Sequence, residues 1–311
     1  MSCRLALAVL AFVVLLGSGP AFGYVYVAGV VGGTAVGLQF DPSGVFLNSS
    51  PIGWTTVAAG ADDLLYTAAG MTITRRSADL STSSVFAVAS QTQLGAGVTH
   101  INRIYIDQAG SLYAVPFGNG TDLRMVAKYD SAGNYIGSFS TPDLFRPVGA
   151  AVDANGNLYV GKLDYTNGHS IYVWDSTGVF QGSIKTAGLK PNDLAVDWAT
   201  NTLYIGEDGG TAVRTYDIAG GTWGSVPVPG LAYGAGIDFS WRTGLLYVAD
   251  YNSNTAYAVN ARGAGEVVGT FTYSGAYQLR DVTALPEPGS LVVLGSALVA
   301  SAGLALRRRR G

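Results

Sequence analysis

The polar residues of this 311-residue chain fall into two sets, one that repeats and one that does not. Asp41, Asp107, Asp130, Asp153, Asp175, Asp197, Asp217 and Asp238 each follow a short apolar run, most of them with a Gly, Asn or Ser within the next three residues. There an Asp side chain bonds nearby backbone amides and shapes a turn, so these residues are expected to be structural. The other set has no period: His100, Asn102, Arg103, Lys162, His169, Glu207, Asp208, Asp250 and Arg280. Gathered on one face, such residues would line a polar ligand site. Familiar catalytic patterns are absent. His100 and His169 are the only two histidines and lie 69 positions apart, which is no zinc-binding cluster. Neither is accompanied by a G-x-S-x-G nucleophile motif. Glu207-Asp208-Gly209-Gly210 does not continue into a calcium-loop pattern and reads as a hairpin turn. Trp54, Trp174, Trp198, Trp223 and Trp241 are scattered and form no sugar-stacking stripe.

The elements that position these residues are repeats. An apolar-Tyr-apolar strand recurs at Tyr26, Tyr66, Tyr113, Tyr159, Tyr204 and Tyr247, at spacings of 40 to 47 residues. Most are preceded by an apolar run ending in Asp and followed by a third strand closing on an Asp-containing turn, then by a fourth. Four short strands per 40 to 50 residues is the signature of a β-propeller blade. Gly, at 43 of 311 residues, is about double the usual ~7%, as many tight turns require. The first repeat begins at its second strand, Tyr24 to Ala28, while a spare strand, Tyr277 to Leu285, matches Pro191 to Asp197 and places Asp281 on Asp193. The expected fold is therefore all-β: a six-bladed propeller over 24–285, its first blade completed by the last strand so that no sheet edge stays open. In that geometry the repeating aspartates share one face. The non-repeating set lies on the other, in the loops after the second strand and in the segments leading into each blade.

Both ends read as addresses. Residues 1–23 combine Arg4, the apolar run Leu5 to Leu16 and the small residues Ala21 and Gly23, a cleavable signal peptide with a cut near Tyr24. Its removal takes Cys3, leaving a chain with no cysteine and no thiol or disulfide chemistry. In the tail, 286–311, Pro286-Glu287-Pro288 precedes an uncharged stretch from Leu291 to Leu306 and then Arg307, Arg308, Arg309 and Arg310. As a helix the 16 apolar residues span about 24 Å at ~1.5 Å each, and the arginines snorkel and hold to the cytoplasmic side. This tail resembles the PEP-CTERM sorting signal of Gram-negative bacteria. The resemblance implies recognition by an exosortase-type transpeptidase, transient anchoring in the inner membrane, and delivery to the cell surface or an extracellular polysaccharide matrix. Of 18 basic and 21 acidic residues, the end segments hold five and one, leaving 13 against 20 in the propeller. So acidic a body excludes nucleic acid as partner.

The blades, as in PVGAAVDANGNLYVG, resemble NHL-type repeats and the lactonases of the SMP-30/gluconolactonase type. The lactonase likeness implies a divalent metal held by a Glu near the chain start with Asn and Asp from later blades. Asn192, Asp193 and Asp281 are the matching oxygen ligands for Ca2+ or another divalent cation, but the first repeat, Tyr24 to Ser50, has no Glu. The favoured expectation is a non-enzymatic interaction module meeting an extracellular polysaccharide or another surface protein. The alternative is a secreted metal-dependent lactonase-like hydrolase or lyase.

Overall fold

A computed structural model describes residues 23–50, 56–117, 124–141, 143–144, 146–165 and 168–285. The expected signal peptide, 1–23, lies outside these described residues except for Gly23, and so does the expected sorting tail, 286–311. Among the described residues no helix is long and apolar enough to cross a membrane.

Each repeat folds as the alternation of its side chains dictates. The strand carrying the tyrosine is buried on both faces, as in Leu158–Lys162 and Leu245–Asp250, whereas the fourth strand, such as Phe180–Lys185, is largely exposed. That gradient runs from an innermost strand at the axis to an outer rim, and it gives six antiparallel sheets of four strands. The chain is a six-bladed propeller. Its innermost strands are Ala276–Leu285, Thr56–Ala59, Ile101–Ile106, Pro147–Val152, Pro191–Asp197 and Gly234–Ser240.

The ring closes as expected. Ala276–Leu285 pairs with Tyr24–Val31 from Tyr24 opposite Leu285 to Val31 opposite Ala276, and the first blade reads in the order last strand, first, second, third. Leu279 and Val282 join Phe40, Tyr247 and Phe271 in the core between the sixth and first blades, while Leu285 packs with Tyr26 and Leu65 toward the second.

The strand tyrosines explain the Asp-to-Tyr spacing of the repeat. Tyr113 Oη donates to Asp107 at 3.3 Å and Tyr159 Oη to Asp153 at 3.1 Å. Each ring is buried between blades, and its hydroxyl meets the turn Asp of the same hairpin. The Asp in turn caps backbone amides, as Asp153 does for Asn155 and Asn157 and Asp175 for Thr177 and Val179. The repeated aspartates are structural, with one correction. Asp238 is no turn residue: it lies inside Gly234–Ser240, opposite Tyr247, and accepts a 2.5 Å hydrogen bond from Thr283 Oγ1 of the neighbouring blade. The run continues through Phe239 to Ser240, and it is Ser240 that takes the place of Asp197, two residues past the one opposite the tyrosine.

Candidate functional site

The innermost strands share a device that aims side chains at the axis. Their pairing slips by one residue at Ile101/Arg103, Pro147/Ala150, Pro191/Asp193 and Gly234/Ile237, and the closing strand slips between its partners Ala28 and Val30. A β-bulge sets two residues against one and redirects a side chain. Two neighbouring residues, not alternate ones, therefore face the channel, as with Asn102 and Arg103, which line the same cavity.

By register, the position two residues before the one opposite the strand tyrosine holds Asp281, Thr56, Arg103, Gly149, Asp193 and Gly236 around the six blades. These residues stitch the blades together. Asp281 accepts from Thr56 Oγ1 at 2.5 Å and Val57 N at 3.1 Å, Thr56 Oγ1 accepts from Ile104 N at 3.1 Å, and Asp193 accepts from Ile237 N at 3.1 Å. In each case a side chain satisfies a buried amide of the following blade. Where the preceding blade offers only glycine, the Asp also serves its own strand, at Leu194 N and Val282 N. The glycines are required for room: a Cβ on Gly149 would lie 2.4 Å from Asp193 Oδ1, and one on Gly236 2.5 Å from Asp281 Cα.

Asp193 and Asp281 both turn toward Arg103. Its Nε lies 3.3 Å from Asp193 Oδ2, an ion pair out of line for a hydrogen bond, and its Nη2 donates to Arg280 O at 3.0 Å. Burial pushes the Asp193 carboxyl up to about 8 against the pull of Arg103. Asp281 is raised for the same reason. The two enclosed carboxyls are held by backbone donors and by the guanidinium of Arg103, which stands where a counter-ion would. Among the described residues no group of three or more His, Cys, Asp or Glu is placed to hold a metal.

Above this layer the channel widens into a funnel of about 400 Å³, lined by His100, Asn102, Arg103, Phe117, Asn192, Asp208, Tyr233, Ala235, Tyr251 and Arg280. Its rim is built from two equivalent positions per blade, tied by one backbone bond: Phe117 N to His100 O, Asp208 N to Lys190 O and Tyr251 N to Tyr233 O, at 2.8–3.0 Å. The His100 ring stacks on Phe117 with centroids 4.6 Å apart, and burial together with the nearby Arg280 holds its pKa below the usual value. Tyr233 and Tyr251 form a second aromatic pair at 5.4 Å.

Of the residues expected on this face, His100, Asn102, Arg103, Asn192, Asp208 and Arg280 meet in the funnel. Lys162, His169, Glu207 and Asp250 do not line it. Lys162 is buried, 3.0 Å from Asp164, 3.4 Å from Asp143 and 3.1 Å from Tyr172 Oη. His169 accepts from Asp164 N at 3.1 Å through Nδ1, and Glu207 ends its strand opposite Pro191. Asp250 is wholly buried and accepts from Ala232 N, Tyr233 N and Asn252 N, fixing the loops that carry the two tyrosines. Sequence reasoning missed Phe117, Tyr233 and Tyr251. Their signal was positional: Phe117 and Tyr251 occupy the place of Asp208, directly after the second strand.

The opposite end of the channel is a smaller cavity of about 40 Å³ between Tyr105, Trp198, Asp238, Trp241 and Arg242. Enclosure raises the Asp238 carboxyl to about 6. A carboxyl raised on folding favours the fold below its unfolded value and loses that contribution as pH climbs through 6. Asp238→Asn is therefore expected to stabilise the chain above pH 6 by about 1–2 kcal/mol, discounted for partial exposure, and to flatten the stability curve between about pH 4 and 6. Urea melts across that range read the effect; a parallel curve for the variant would place the titration elsewhere.

No known family model matches this chain, and no curated protein matches it. Solved structures do. A chain of a nidogen/laminin complex is 16% identical with a TM-score of 0.62, over 86% of this chain and 99% of that one. A protein of unknown function from Bacteroides caccae is 13% identical with a TM-score of 0.62, over 85% and 99%. The likeness is one of fold. Virginiamycin B lyase from Staphylococcus aureus aligns over 70% of this chain and 69% of its own, at 14% identity and a TM-score of 0.49.

Proposed function

We propose that this chain is exported and displayed at the cell surface or in an extracellular matrix, where its funnel serves as a non-enzymatic binding module. The observation that carries this reading is the axial layer: the carboxylates best placed for chemistry are bonded to the next blade and to Arg103. A funnel with rigid aromatic walls and few charges suits recognition more than bond-breaking. The competing metal-dependent hydrolase or lyase would need a cation where the guanidinium sits. Export and sorting rest on the two end segments, with Pro286-Glu287-Pro288 and Arg307 to Arg310 as the signal presented to an exosortase-type enzyme in the inner membrane.

Mass spectrometry of the protein from fractionated native cells tests the address. The expected species starts near Tyr24, ends near Pro286 and is found outside the cell. A chain ending at Gly311 in the membrane fraction would remove the sorting step and leave an anchored propeller.

A further inference from the structure

The funnel holds a cation with nothing to do. Arg280 lines it, its Nε is buried without a hydrogen-bond partner, and its guanidinium forms no ion pair with Asp208 or any other described residue. The enclosed Nε is out of a ligand's reach; the two Nη groups, which no described residue pairs, are what Arg280 offers to an anion in the funnel. Arg280 stands there for a structural reason, since it immediately precedes Asp281 on the bulged closing strand. Its backbone is held by Arg103, through the bond to its carbonyl.

The surroundings select the ligand. Arg280 is a planar fork suited to a carboxylate or phosphate. Asp208 shares the cavity, and His100, with its pKa lowered, adds no full charge at neutral pH. With Arg103 committed to Asp193, Arg280 beside Asp208 tolerates a singly charged anion and repels a multiply charged phosphate. The amide of Asn192 adds a donor and an acceptor. The pairs Tyr233–Tyr251 and His100–Phe117 supply flat apolar walls with polar edges. A carboxylate on a hydroxyl-bearing ring matches all three features, and a funnel of about 400 Å³ lies within the roughly 300–1,000 Å³ typical of small-molecule sites.

We infer that the funnel binds a sugar acid, its carboxylate on Arg280 and its ring between the aromatic pairs, either free or as a uronate unit of a polysaccharide. This rests on the reading of the propeller as a binding module and names its ligand class.

Calorimetric titration of the mature chain tests it, with glucuronate, trigalacturonate, the neutral maltotriose and inorganic sulfate as probes. A uronate probe is expected to bind at least tenfold more tightly than maltotriose and sulfate. Arg280→Gln should lose that preference by tenfold or more with an unchanged melting temperature, and Asp208→Asn should tighten uronate binding. If Arg280→Gln unfolds, Tyr233→Leu provides the second reading, weakening uronate while keeping the cation. Trigalacturonate well ahead of glucuronate points to a polymer unit, and equal affinities to the free acid. Uronate binding no stronger than maltotriose or sulfate, or unchanged in Arg280→Gln, overturns the inference. Cosedimentation with the host's surface polysaccharide separates the two failures: retained there, the binding module stands and only the ligand class falls.

Discussion

Replacing Arg103 with methionine is expected to destabilise the fold by about 3–5 kcal/mol at pH 8, the cost of removing one partner from a buried ion pair. Arg103 and Asp193 are both nearly enclosed, with side-chain exposures of 8% and 7%. Methionine fills most of the volume but takes away the guanidinium that faces Asp193 and Asp281. Both carboxyls are already raised by burial, and losing Arg103, which pulls them down, raises them further. A carboxyl raised in the folded state favours folding when protonated, so the deficit must shrink as pH falls from 8 toward 5. Adding Asp193→Asn should recover part of it, though not all: Asn has one acceptor oxygen, and Asp193 uses both of its own, on Leu194 N and Ile237 N. Urea melts of the single and double variants at the two pH values measure this. A pH-independent loss below about 1 kcal/mol would mean that the guanidinium is not the counter-charge, and would return the channel to a metal.

The expected result for Arg103 also marks where the sequence stopped being readable. Blade count, the tyrosine strands and the turn aspartates were legible because each is a local pattern that recurs from blade to blade, and Tyr113 with Asp107 or Tyr159 with Asp153 meet within one hairpin. The closing strand was legible because Asp281 could be laid on Asp193. What joins those two residues was not. Arg103 reaches Asp193 and Arg280 across blades, and no spacing encodes which side chains meet at an axis. The bulge that turns Asn102 and Arg103 to the same side is a one-residue slip visible only once strands pair. Lys162 and Asp250 misled because they are charged and non-repeating, the marks of a ligand site, yet each is enclosed and bonded. Phe117 and Tyr251 were overlooked for the opposite reason: a search among polar residues passes over the aromatic walls of a pocket.

The seam gives the largest effect of all. A chain truncated after Gly275 is expected not to fold cooperatively as a monomer. The lost strand carries Leu279, Val282 and Leu285, at 1%, 0% and 1% exposure. At roughly 1.5–3 kcal/mol per buried side chain, their removal takes a large share of the about 5–15 kcal/mol that holds a typical domain together. It also removes Asp281, so that Val57 N and Thr56 lose their acceptor, and it strips Tyr24–Val31 of a partner, opening an edge on the channel side. Bulk loss of contacts and loss of ring closure are separable. Because Leu285 lies opposite Tyr24 in an antiparallel pair, a two-residue Asn-Gly turn can join them. A permuted chain beginning at Ala276, passing through that turn and ending at Gly275 keeps every strand and moves only the ends. It should melt in one transition within a few degrees of the parent, while the truncated chain shows none. If the truncated chain also melts cooperatively as a monomer, the first blade stands without its innermost strand and the seam is not what holds the ring. If the permutant fails while the parent folds, the order in which the strands form decides folding, with the closing strand required last.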